Sequence, residues 1–394
     1  MITIRTARWI DRKFGKPLCR ILSVISRFRK KTCPLPNEIR RIVIIKMWGM
    51  GSVILGSSAI RNMRLNCPEA HITLITLKQN QSLYAPGPWI NQLMYFDLNS
   101  LPKAIRSLYQ IMSFLRAQPP DIVFDFEFAS RFTAMLSFWS YRSFLVGFNP
   151  SGSAKNIFDI TIPYSETRHI SKIFMDSLKA VKFTIHTDEL IPCVAEDGEK
   201  SKVDAFLKTR GINRFIVFNP NTSSMAPERQ WPLERFAELA KRWFAVEPEC
   251  VIIVIGGTED IQRVETLCAM VSSARMISAC GHFTIAGTSY MLSKAIALVT
   301  NDSGPMHLAT LSNTPTVGLF GPETPALYGP VGVNQSALSS NEYCSPCISI
   351  YNDKKIVCYR QCACMQNISV SQVYETLNSY FSKNPSLEIP RSES

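Results

Sequence analysis

A doubly wound α/β protein with two similar domains is predicted by two patterns in the chain. Short apolar runs of strand length alternate with helix-length segments, and such βαβα alternation builds a parallel sheet with helices on both faces. The alternation then starts afresh after the polar stretch 196–202. At 394 residues the chain has room for two ordinary domains.

In the first series, 41–46 is an apolar run that reads as a buried strand, followed by a helix over 51–64. Strands follow at 71–76 and 92–96, a helix at 100–115, a strand at 121–125 and a helix at 130–140, then strands near 143–148 and 157–162. The second series opens with a strand at 214–218, a Pro-Asn-Thr-Ser-Ser loop and a helix from Leu233. A strand over 249–255 closes on Gly256-Gly257 and leads to a helix from Glu259; strands at 295–299 and 315–320 complete the set. The expected organisation is an extension over 1–39, a first domain over 40–200, a second over 201–384, and a disordered tail over 385–394. Ligands of such sheets bind at the carboxyl ends of the strands, and a cleft between two such domains is the expected site.

The net charge of +12 suggests a nucleic-acid partner until its distribution is examined. Residues 1–46 hold 13 of the 43 Lys and Arg and only two acids, Asp11 and Glu38, so the rest of the chain is close to neutral. That argues against a nucleic-acid groove built on the fold. Within the extension, Trp9, Ile10, Phe14, Leu18, Ile21, Leu22 and Ile25 interleave with Arg5, Arg8, Arg12, Lys13, Lys16 and Arg20, and Pro17 is expected to separate two short helices. No apolar stretch reaches the roughly 18 residues a membrane span needs, and a secretory signal is a poor fit, because no adequate apolar core or small-residue cleavage site follows. A basic amphipathic helix of this kind lies on an anionic membrane surface; packing on the domain is the other reading. The expected location is the cytoplasm, peripheral on the cytoplasmic face of the inner membrane.

The stretch 299–307, VTNDSGPMH, is the most informative in the chain. It joins a buried strand to a helix, and puts Asp302, Ser303 and Gly304 at a helix N-terminus, with His307 about one turn inside. Unpaired N–H groups and the positive end of the helix dipole favour a phosphate there. The plainer reading is an N-cap with a core histidine. Two further loops should converge on the same sheet edge: Asn219-Pro220-Asn221-Thr222-Ser223-Ser224 with Arg229, and Gly256-Gly257-Thr258-Glu259. Hydroxyls, a guanidinium and a glycine pair around a helix start suit a diphosphate, and Glu259 is placed to hold ribose hydroxyls.

These segments carry a family resemblance. NDSGPMHLA at 301–309 followed by TPTVGLFGP at 314–322, with KMWGMG at 46–51 and RQWP at 229–232, resembles the bacterial ADP-heptose:lipopolysaccharide heptosyltransferases, glycosyltransferase family 9. The resemblance spans about 40–384. It implies a GT-B fold with two Rossmann-like domains facing a cleft, domain closure, and inverting transfer of a heptose or related sugar. The donor would be a nucleotide diphosphate sugar, by resemblance ADP-heptose, and the acceptor a lipid-linked saccharide such as the lipopolysaccharide core. No cofactor is required on this reading. By resemblance, Asp302 holds sugar hydroxyls, and Ser303, Gly304 and His307 contact the diphosphate. Arg229 stands where the family has a Lys that neutralises the leaving diphosphate. Thr222, Ser223 and Ser224 fall in the donor-phosphate loop, Glu259 at the ribose and Phe283 beside the adenine.

One position departs from the family. Many members have Asp after the first-strand turn as general base, whereas this chain has Gly51-Ser52, and a serine hydroxyl needs a base of its own. Asp125 and Glu127 end a strand that should neighbour the first across the switch point. Glu127 is therefore the expected base; the alternative makes it an acid at the N-terminus of the helix from Ser130. Asp125-x-Glu127 also looks like a metal-binding motif of GT-A transferases, but a helix start and Arg229 already offset the diphosphate charge. Loss of the family Asp also allows an inactive sugar-nucleotide-binding homologue, and a UDP-sugar epimerase of GT-B fold is a third reading. Last, Cys344, Cys347, Cys358 and Cys364 have spacing that can hold a structural zinc; disulfides or free thiols are the alternatives.

Overall fold

The computed structural model describes residues 4–383 apart from 27, 30, 129, 151, 153–156, 224, 225, 352–355 and 357. The predicted tail at 385–394 and Ser224 lie outside the described residues. The chain forms two compact units, Met1–Ile191 with Ile350–Lys354, and Pro192–Ser349 with Lys355–Ser394.

In the first unit, α1 (Ile4–Ser26) precedes β1 (Arg41–Ile45), α2 (Met50–Asn66), β2 (His71–Leu77) and β3 (Gln92–Phe96). Then come α3 (Leu101–Ala117), β4 (Ile122–Asp125), α4 (Arg131–Trp139), β5 (Phe144–Phe148), β6 (Ile160–Ile162) and α5 (Ile170–Ala180). The six strands lie in the order β3-β2-β1-β4-β5-β6, all parallel. Sheets covered on both faces need strands apolar on both faces, and β1, β4 and β5 are buried nearly throughout. Crossovers in such sheets are right-handed. The β1-to-β2 step therefore puts α2 on one face, where α5 packs on it. The β3-to-β4 and β4-to-β5 steps run the other way along the sheet and put α3 and α4 on the opposite face.

The extension joins that second face. Pro17 does not split it: α1 is one helix with Pro17 inside. Asp11, Gly15 and Cys19, spaced four apart, all meet the start of α4. Asp11 accepts from the Phe132 N–H (2.6 Å) and pairs with Arg131 (3.3 Å); Gly15 lies on the Arg131 side chain, and Cys19 is fully buried. Pro17 falls on the exposed side, so packing on both sides of it outweighs the one hydrogen bond it cannot make. Beyond the helix, Arg29 donates to the Ser143 carbonyl (2.9 Å) and pairs with Asp159.

The second unit repeats the plan. It contains α6 (Asp197–Thr209), β7 (Phe215–Asn219), α7 (Leu233–Val246), β8 (Val251–Val254), α8 (Ile261–Val271), β9 (Met276–Ser278) and α9 (Ile285–Lys294). These are followed by β10 (Leu298–Asn301), α10 (Gly304–Leu311), β11 (Thr316–Phe320), α11 (Pro325–Tyr328), β12 (Gln335–Ser339), α12 (Ala363–Gln366) and α13 (Val370–Lys383). Its strand order is β12-β11-β10-β7-β8-β9, the first sheet's order with strands renumbered. The strands missing from the sequence reading are β9 and β12. Both are edge strands, short or part-exposed, so neither carries the apolar run that marks a buried one. Trp231, Phe236 and Trp243 are fully buried in the core of this unit. Among the described residues no helix is long and apolar enough to cross a membrane.

Candidate donor and acceptor sites

Each sheet has one switch point, where the strand order reverses and loops leave neighbouring strands in opposite directions. In the second unit it lies between β7 and β10. Both strands end in asparagine, and both side chains are buried. Asn219 Nδ2 donates to Thr300 Oγ1 (2.9 Å) and Ser303 Oγ (2.7 Å). Asn301 Nδ2 donates to the Pro220 carbonyl (2.8 Å), and its Oδ1 accepts from the Trp231 N–H (3.0 Å). These bonds tie the loop after β7 to the loop after β10 and to the RQWP segment. Their signal in the sequence was an Asn at the end of two strands, which becomes meaningful only once the strands are known to be neighbours.

The predicted donor residues meet at this edge. Asp302 is 4% exposed and its Oδ2 accepts from Arg229 Nη1 at 3.1 Å. Arg229 Nη2 donates to Ser223 Oγ at 3.0 Å. Thr222 Oγ1 donates to the Ala226 carbonyl at 3.3 Å. Ser303 turns its hydroxyl into the Asn219 network instead of capping α10, which starts at Gly304 with no side-chain cap. Pro305 has no N–H and the Met306 N–H donates to the Ser303 carbonyl at 3.2 Å, so what the helix start offers an anion is the Gly304 N–H and the positive end of the dipole. His307 is buried in the first turns of α10.

The neighbouring strand β8 is followed by Gly256 and Gly257. A Cβ at Gly256 would fall 2.6 Å from Asn221 Nδ2 and 2.7 Å from Cys280 Sγ, so only glycine fits. Asp260 Oδ2 accepts from the Gly257 N–H at 2.9 Å, fixing the turn. Glu259 is exposed beside it. Phe283 is half-buried, its ring 5.3 Å from that of Phe206.

In the first unit β1 and β4 are neighbours, as the topology required, with Ile45 opposite Asp125. Glu127 does not cap α4. Ser130 does so, accepting from the Thr133 N–H at 3.2 Å. Glu127 instead faces the turn after β1. Its Oε1 accepts from Lys46 Nζ and from the Met47 and Trp48 N–H groups, each at 2.8 Å. The Lys46–Glu127 pair is almost wholly buried, at 4% and 7% exposure. Among the described residues every hydrogen bond to the Glu127 carboxylate goes to Oε1, and none to Oε2. Ser52 lies close by in sequence, in the first turn of α2, whose N-cap Gly49 has φ +79°. Asp125 is buried behind Glu127. Burial, with the nearby Glu127 charge adding to it, raises its carboxyl to about 8, although the Glu127 N–H and the Thr133 and Ser137 hydroxyls oppose the shift. Lys46 stood in the KMWGMG motif, but its pairing with a residue 81 positions away had no sequence signal.

The five cysteines between Cys344 and Cys364 are free thiols, as are the other seven. The Cys362 N–H donates to Cys358 Sγ at 3.1 Å. This bond and one from the Arg360 backbone lower the thiol of Cys358, while burial pushes Cys362 up to about 12 and Cys364 up to about 11. Among the described residues, no group of three or more His, Cys, Asp or Glu side chains is arranged to hold a metal ion.

Comparison with known proteins decides the family. The model for glycosyltransferase family 9 (heptosyltransferase) matches residues 130–357, more than half of the chain. The chain belongs to glycosyltransferase family 9. It is 21% identical over 301 residues to lipopolysaccharide heptosyltransferase 2 of Escherichia coli K12, spanning 74% of this chain and 85% of that one. A family 9 glycosyltransferase structure from Veillonella parvula superposes with a TM-score of 0.71 at 23% identity, covering 89% of this chain and 99% of that one. The E. coli heptosyltransferase WaaC, solved with ADP, superposes with a TM-score of 0.64 at 16% identity, covering 86% and 99%. The two six-stranded parallel sheets are those of the GT-B fold, and the family's chemistry is heptosyl transfer.

Proposed function

We propose that this family 9 heptosyltransferase moves a heptose from ADP-heptose to a lipid-linked saccharide of the lipopolysaccharide core class, with inversion at the anomeric carbon. The observation that carries the reading is the β7/β10 edge. There an uncapped helix start, Arg229 and the Ser223 hydroxyl converge within one hydrogen-bonded network. A leaving nucleoside diphosphate gains negative charge in the transition state, and fixed dipoles and a guanidinium stabilise it most. Asp302 holds Arg229 in place and can take sugar hydroxyls. Ser303 keeps the loop in shape, and Gly304 and His307 complete the helix start. Glu259 is assigned to the ribose, Phe283 to the adenine, and Thr222, Ser223 and Ser224 to the phosphate loop. This set of donors makes a metal unnecessary for the transfer step.

On the acceptor side, Glu127 takes the proton of the attacking hydroxyl through Oε2, with Lys46 and the turn N–H groups fixing its other oxygen. Ser52 is close in sequence and contributes hydrogen bonding only. One relative solved in two complexes supports the choice of nucleotide: E. coli WaaC with ADP, and with ADP-2-deoxy-2-fluoro heptose. The α1 helix places the enzyme at the cytoplasmic membrane surface, where a lipid-linked acceptor resides. Thermal stabilisation by ADP, UDP and GDP tests the donor assignment. ADP should raise the melting temperature and the others should do so less; equal or larger shifts with UDP would overturn it.

A further inference from the structure

The helices on one face of the first sheet form a row, α3, α4 and α1, and their outer sides do not match a water-facing surface. On α3, Leu101, Ile105 and Tyr109 are 62%, 60% and 72% exposed. They sit at four-residue spacing, so they form a stripe. On α1, Leu18, Ile21, Val24 and Ile25 are exposed, and Phe28, just past its end, is 87% exposed. The inner sides of all three helices share one core, with Cys19, Ala104, Ile111, Ala134 and Leu136 buried in it. The outward stripes are therefore surplus to folding.

Charge says what covers this face. The three helices carry ten Lys and Arg and a single acid, Asp11; Asp11 and its partner Arg131 are both turned inward at the N-terminus of α4, which leaves nine cations and no acid. Lys103, Arg106 and Arg116 of α3 and Lys13 and Arg20 of α1 are exposed. At the C-terminal ends of α3 and α4, Arg116 lies 4.5 Å over the Trp139 ring and Arg142 lies 5.8 Å from the Tyr141 ring centre. These four line a niche with Ser140, whose hydroxyl is buried without a hydrogen-bond partner. Trp139 is fixed by its Nε1–H bond to the Met112 carbonyl at 3.2 Å. Apolar side chains rimmed by cations and interfacial aromatics, without acids, fit an anionic bilayer surface.

We propose that the membrane-binding face is the whole α3–α4–α1 row, with Arg116 and Arg142 meeting lipid phosphates, and not the N-terminal helix alone. The inference rests on the membrane reading above and deepens it. It assigns the lipid contact to a fixed wall of the acceptor-side unit, so the chain docks in one orientation.

The test is co-sedimentation of the full chain with vesicles of phosphatidylcholine, alone or mixed with phosphatidylglycerol. Wild type should bind only the mixed vesicles. Ile105→Asp with Tyr109→Asp should weaken that binding about tenfold or more, and so should Arg116→Glu with Arg142→Glu, with melting temperatures unchanged because these side chains are exposed. If the α3 variants bind like wild type while Ile21→Asp with Phe28→Asp abolishes binding, the row is refuted and the extension alone docks. Binding to neither vesicle would refute both membrane statements and leave the transfer reading to its nucleotide assay. A concentration-dependent dimer dispersed by Ile105→Asp would assign the face to a second copy and overturn the proposal.

Discussion

Glu127 and Arg229 are each held by a charged partner, and the pairing defines what each can do. Removing one member of a buried ion pair strands the other, typically at about 3–5 kcal/mol. Lys46→Met should therefore destabilise the first unit by about that amount, read from urea midpoints, whereas Ser52→Ala should be nearly neutral. Arg229→Gln should weaken ADP binding about tenfold to a hundredfold, since a charge-assisted hydrogen bond is worth about 1.5–3 kcal/mol; titration calorimetry reads it. Asp125 carries a pH signature. Its native carboxyl is raised to about 8, so between about 4 and 8 the native state keeps a proton that the unfolded state has lost. Stability from this group then falls as pH rises through that window and is level above it. Asp125→Asn should flatten the fall in melting temperature from pH 5 to pH 8; an unchanged profile would refute the assignment. The sequence placed Glu127 correctly at a strand end beside the first strand. It was silent on Lys46, because only the folded register brings 46 to 127.

At the scale of elements, α1 is the place where local propensity and tertiary packing disagree. A proline inside a helix costs about 3 kcal/mol relative to alanine, yet the helix continues through Pro17 because Asp11 and Cys19 anchor it on α4 from both sides. Pro17→Ala should accordingly stabilise the protein, by up to about 3 kcal/mol, while Asp11→Ala should cost about 1–3 kcal/mol by leaving the Phe132 N–H and Arg131 underserved. Chemical denaturation of both variants checks the pair; a destabilised Pro17→Ala would mean that the proline shapes the helix. Interior strands were legible from their continuous apolar runs. The edge strands β9 and β12 were not, because each is short or partly exposed and lacks that pattern.

Across the whole molecule, the same winding occurs twice, and in the proposed reaction each copy's switch point serves a different half of the chemistry. The donor edge was legible because each of its parts is local: the loop 219–224, the Gly256-Gly257 pair and the helix start at 302–304 can each be read within a few residues of sequence. The network that rigidifies it, Asn219 to Thr300 and Ser303, was not, since it joins loops 81 and 84 residues apart. On the proposed reading, electrostatic stabilisation at one edge and proton removal at the other are separable. The most direct measurement is release of ADP from ADP-heptose in the presence of lipid-linked saccharides of the lipopolysaccharide core, beside calorimetric binding of ADP. Glu127→Gln should bind ADP as wild type does and lose turnover by about a hundredfold to ten-thousandfold, the range for removal of a general base, with Ser52→Ala retaining most of it. Full turnover by Glu127→Gln together with its loss in Ser52→Ala would contradict the account.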